Sequence, residues 1–183
     1  MKEASYWLVA LALATSAGCD SGSSLLDRES VQLGHLIFEV PATWHRTDSG
    51  YRGVISAEWT PDDNDRHESV VVMRTSLSPA VAKAGGAIFE RLLVDAQRSL
   101  AKARTSTVSP VMTARGLQGA RVDVDFTRPE SAAKFRRTHV VLVEGEGDGA
   151  ALVHVLYTAQ RPDPARVALN GVLDTIRREE LKP

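Results

Sequence analysis

The chain has 183 residues, 43% of them hydrophobic and 25% charged, with a formal net charge of −1. These values suit one globular core and exclude a disordered polyelectrolyte or a membrane-embedded body, while near-neutrality excludes nucleic acid, whose phosphates need a concentrated excess of Lys and Arg. With a single cysteine no internal disulfide can form, so packing alone must hold the fold.

The N-terminus has the three-part layout of a secretory signal. Lys2 gives a basic start, residues 6–14 form an apolar run, and small residues lead into Cys19. The run is too short to span a bilayer, which takes about 20 apolar residues. The ending Ser16-Ala17-Gly18-Cys19 resembles the lipobox of bacterial lipoproteins. That resemblance implies a signal peptide over 1–18, acylation of Cys19 as the first mature residue, and a membrane-anchored place in the cell envelope, inner or outer membrane left open. Acyl chains contribute about 0.8 kcal/mol per buried CH₂, which holds a protein that has no spanning helix. An ordinary signal peptide cut near Ala17, leaving Cys19 as a free thiol, and an uncleaved hydrophobic N-terminal helix are the competing readings.

Residues 19–34 are Ser-rich and then charged, a composition suited to a flexible tether. Within it, Val31 and Leu33 have the spacing of a first strand. The domain proper is expected over 35–180. It opens with Leu36, Phe38 and Val40 alternating with polar or edge positions, a strand that Pro41 ends. Further strands are expected over 53–59 and 69–77, the latter a valine run suited to burial on both faces. Ser78-Pro79 reads as a helix cap. Residues 87–103 then place Phe89, Leu92, Leu93, Ala96 and Leu100 on one helical face.

Four strands follow, over 107–114, 120–127, 137–144 and 150–159. The last two, joined through Gly145-Glu146-Gly147-Asp148-Gly149, are the most continuously apolar and belong at the sheet centre. Asp163-Pro164 opens a closing helix to about residue 178, with Leu169, Val172, Leu173 and Ile176 on its apolar face. The expected fold is single-domain α+β: a central antiparallel sheet of about six or seven strands with a mid-chain helix and a C-terminal helix packed on it.

Phe38-Glu39-Val40-Pro41-x-x-Trp44, the Gly116-Leu117-Gln118-Gly119 turn and the closing Val172-Leu173-Asp174-Thr175-Ile176 together resemble the PsbP-like superfamily, including its DcrB-like lipoproteins. The similarity in element order covers about residues 35–178. It implies helices against an antiparallel sheet and a family of binding or assembly modules without a shared catalytic residue. Fold-level likeness does not fix function.

No G-x-S-x-G, Walker A loop, H-E-x-x-H or C-x-x-C is present, so no catalytic residue, metal ligand or cofactor-binding residue is assigned. Four weaker features remain. Asp62, Asp63 and Asp65 crowd one turn but lack the Ca²⁺-loop pattern. The Gly145, Gly147 and Gly149 loop is acidic and precedes a strand, which suits a hairpin tip better than a phosphate cradle. His139 and His154 approach each other if their hairpin pairs symmetrically about that loop, which makes either a packed pair or the start of a Zn²⁺ or Cu²⁺ site. Arg128, Lys134, Arg136 and Arg137 form a local basic stretch suited to solvent or to an anionic surface. His35, His45 and His67 fall near strand ends. The sequence thus points to a non-catalytic, lipid-anchored envelope protein serving as a binding or accessory module for a protein partner. The alternative is a small-ligand or metal-binding lipoprotein serving an envelope transporter.

Overall fold

The computed structural model describes residues 27–51, 54–62, 67–78, 104–128, 132–145, 150–160 and 167–179. Strand β1 (Arg28–Leu33) turns at Gly34 into β2 (Leu36–Pro41), and the two pair antiparallel. Gly34 sits at φ +62°, where a side chain is strained. Period-2 alternation buries Leu36, Phe38 and Val40 and leaves Ile37 and Glu39 half-buried. At Val31 and Leu33 the chain is therefore already in a sheet.

The larger sheet takes in β3 (Trp44–Tyr51), β4 (Val54–Pro61), β5 (Ser69–Ser76), β6 (Arg104–Thr105), β7 (Ser109–Met112), β8 (Gln118–Thr127), β9 (Lys134–Glu144) and β10 (Ala151–Gln160). Its order is β3-β4-β5-β10-β9-β8-β6, with β7 also on β8, and every pairing is antiparallel. The apolar strands β5, β10 and β9 lie in the interior, where both edges are paired. On β5 the burial is one-sided: Val70 and Val72 are fully buried, whereas Val71 and Met73 are partly exposed.

After β10 the chain forms helix α1 (Val167–Thr175) and then β11 (Arg177–Arg178), which pairs with the free side of β2. The order β1-β2-β11 makes a second, three-stranded sheet. Its buried face and α1 cover one face of the large sheet. Leu36, Phe38 and Val40 meet Trp59, Val72 and Val155 there, together with Leu169, Val172 and Ile176. Phe38 stands edge-on to Trp59, with centroids 5.2 Å apart and an interplanar angle of 81°. The opposite face carries a smaller cluster of Val122, Val124, Val141 and Leu152.

The expected α+β architecture is corrected. The described residues form eleven strands in two sheets, one of them eight-stranded, and a single nine-residue helix. The expected mid-chain helix, 87–103, lies outside the described residues. The closing helix does not reach 178, because β2 still has an unpaired edge. Thr175 supplies a side-chain acceptor for the Glu39 N–H at 2.8 Å, and Arg177 and Arg178 continue as a strand opposite Ile37 and Leu36. The extra strands are of a kind that periodicity does not announce. β3 carries His45, Arg46, Thr47 and Asp48, all exposed along a sheet edge, and β6 and β11 are two residues each.

Candidate functional site

The β9–β10 hairpin pairs Glu144 with Ala151 and Phe135 with Gln160, nearly symmetric about the glycine loop. His139 then faces Leu156, and His154 faces Val141. Two residues of slip between the partners put the histidines on the same face as diagonal neighbours, within reach of long side chains. The His139 Nδ1 and His154 Nε2 atoms lie 3.2 Å apart, and the ring planes are tilted by 32°. In the hydrogen bond one nitrogen donates and the other accepts, so the two rings share a single bridging proton.

The pair is set into an apolar stretch. Val122 faces His139 from β8, and Met73 faces His154 from β5. His139 is 3% exposed, and its Nε2 has no hydrogen-bond partner. Burial, then the neighbouring His154, then the Arg137 cation, push the His139 pKa down to about 3. Burial lowers His154 to about 4. Both imidazoles are neutral at pH 7 and keep lone pairs for a proton or an ion. Among the described residues no group of three His, Cys, Asp or Glu side chains could hold a metal.

The other sequence candidates are scattered. Asp62 is exposed and meets His45 Nε2 at 2.9 Å. Asp63 and Asp65 lie outside the described residues, as do Gly147, Gly149 and Cys19. Gly145 adopts φ +71° at the hairpin tip. The basic stretch does not form one edge. Arg136 bonds Asp125 at 2.7 and 2.9 Å on one face of the sheet, Arg137 donates to the Thr158 hydroxyl at 3.1 Å on the other, and Arg128 lies 4.5 Å over the Phe135 ring. Lys134 is exposed, as are His35, His45 and His67.

Sequence reasoning missed a buried charge cluster. Glu144 is 1% exposed, and its Oε2 accepts from Arg74 Nε at 2.7 Å. Arg178 of β11 reaches its Oε1 at 3.6 Å, too long for a hydrogen bond. The cluster ties the two sheets together at one end of the core. Parity was its only signal: Glu144 follows Val140 and Leu142 at steps of two, so it inherits their buried face. A second missed feature is the exposed apolar pair beside β8, Val108 and Met112, the latter 69% exposed.

No protein-family model and no curated protein sequence matches the chain. The fold is nonetheless shared with solved structures. One is LpqN, involved in cell envelope biogenesis of Mycobacterium tuberculosis, with a TM-score of 0.54 and 13% identity over 82% of this chain and 90% of that one. Another is a protein of Bacteroides thetaiotaomicron VPI-5482, with a TM-score of 0.51 and 12% identity over 80% of this chain and 46% of that one.

Proposed function

We propose that this chain is a non-catalytic, lipid-anchored accessory module of the bacterial cell envelope, held by acylated Cys19 and working through an envelope protein partner. The observation that supports it is the fold shared with LpqN, a protein of cell envelope biogenesis. The lipobox-like Ser16-Ala17-Gly18-Cys19 supports the anchor, and the likeness to PsbP-like and DcrB-like modules supports binding over catalysis. Val108 and Met112 offer a contact surface, since exposed apolar side chains at a sheet edge are where a partner gains most by burial.

The test is expression of the full chain in a bacterial host with an alkyne-tagged palmitate, beside Cys19→Ala, followed by crosslinking in cells and mass spectrometry. The native chain takes up label, fractionates with membranes and captures one dominant protein partner. Cys19→Ala takes up none and captures that partner weakly. Met112→Asp lowers the capture without shifting the melting temperature. Label that survives in Cys19→Ala removes the anchor. Absence of a dominant partner, under conditions that trap known envelope complexes, removes the accessory reading.

A further inference from the structure

We propose that His139, His154 and Met73 form a binding site for a monovalent soft cation, Cu(I), on the face of the large sheet opposite the main core. The site needs no protein partner and is separate from the accessory role.

Geometry is the first argument. Two imidazole nitrogens that share one ion at about 2.0 Å each, with a near-tetrahedral angle between them, stand about 3.3 Å apart. The His139 Nδ1 and His154 Nε2 atoms stand 3.2 Å apart before any ion enters. Both nitrogens come from strands β9 and β10 in the sheet interior, so the spacing is held by backbone ladders on either side.

Charge selects the ion's valence. The residues directly opposite the pair in register are Val122, Val141, Leu156 and Met73, none of them charged. The charge that His139 does sense is the cation of Arg137. Desolvation energy grows with the square of the charge, so a dication here meets about four times the burial cost of a monovalent ion and gains no carboxylate in return. Softness selects the element. Met73 faces His154 directly, at a cross-strand Cβ spacing of about 5 Å, and its unbranched thioether can swing across that gap. Imidazole with thioether suits Cu(I), whereas carboxylate and carbonyl oxygen suit the hard dications.

Protons balance with no net uptake or release. In the metal-free pair one proton bridges the two nitrogens. On binding, that proton moves to the far nitrogen of the ring that carries it, both near nitrogens become donors to the ion, and no net proton is released.

The experiment is an anaerobic titration of the full-length, detergent-solubilised chain with Cu(I) against bicinchoninate, with Zn(II) as the comparison ion. X-ray absorption of the loaded protein accompanies it. We expect one Cu(I) per chain, nitrogen and sulfur scatterers, and much weaker Zn(II) binding. His154→Gln lowers Cu(I) affinity by about 100-fold or more, and Met73→Leu by about tenfold with loss of the sulfur scatterer. Circular dichroism checks the fold of each variant. Should His154→Gln fail to fold, the near-isosteric Met73→Leu and the absorption spectrum still decide. Failure of the native chain to compete for Cu(I), tighter Zn(II) than Cu(I), or unchanged affinity in a folded His154→Gln overturns the proposal.

Discussion

Acid should weaken this domain through its two buried histidines. A histidine in the unfolded chain titrates near pH 6.5, but burial holds His139 at about 3 and His154 at about 4 in the fold. The unfolded state therefore binds more protons than the native state throughout the interval between these values. Because the folded pKa values are depressed, the neutral pair contributes its full stability above about pH 6.5 and loses it as the pH falls toward 4 and then 3. At about pH 5 each ring costs about 2 kcal/mol relative to pH 7.5, and the two together about 4 kcal/mol. Typical domains have about 5–15 kcal/mol in all. Arg137 is cationic across this window. Urea melts of metal-free protein at about pH 7.5, 6 and 5 would show this slope, and a His139→Leu/His154→Leu double variant should lose most of it. Parallel slopes in the two proteins would refute the reasoning. A direct check is the pH dependence of imidazole NMR shifts, in which neither ring should protonate above about pH 5; a ring titrating near 6.5 would sink the account.

Two further outcomes follow from packing. At Gly119 an added Cβ would overlap the Val141 carbonyl oxygen of the neighbouring strand. Gly119→Ala should therefore push β8 off β9 and cost about 3 kcal/mol or more in urea melts, while Gly116→Ala, where space is open and only the positive φ resists, should cost less. Glu144→Ala leaves Arg74 charged and nearly buried without its partner, so a loss of about 3–5 kcal/mol is expected. Arg178→Ala should cost far less, because that side chain is half-exposed and 3.6 Å away. Equal losses from the two would mean that burial of Glu144 is not what sets the energy.

Much of the strand framework was legible because it obeys period 2. The alternation of Leu36, Phe38 and Val40, of Val122, Val124 and Phe126, and the apolar runs at 139–143 and, from Ala151 on, at 150–159 lie in strands, and the last two pair as a hairpin as their turn residues suggest. The same symmetry makes the approach of His139 to His154 readable from the sequence. What was not legible depends on partners distant in sequence. Residues 45–48 are polar and become a strand because β4 offers them an edge. Arg177 and Arg178 carry an apolar helical run in front of them and still turn extended, because β2 has donors and acceptors to satisfy. Fold class was misjudged for the same reason, since short edge strands tip the balance toward β structure without leaving a periodic trace. Glu144 was hidden by its charge: a carboxylate after a valine run looks like a strand end, and it is Arg74 and Arg178, neither near in sequence, that make its burial tolerable among the described residues.

The pairing of β2 with residues from the far end of the described chain sets the order in which the domain can be completed. Glu39 waits for Thr175, His35 for the Glu179 N–H, and Ile37 for Arg177. A β1–β2 hairpin that forms early therefore carries a bare edge and an apolar face until synthesis has passed residue 179. Long-range closure of this kind is slow, and an open edge is a template for pairing with the wrong chain. The nascent protein is thus most prone to aggregate in the interval just before β11 pairs with β2, and loss of only the few residues after Ile176 would prolong that interval indefinitely while leaving the large sheet intact.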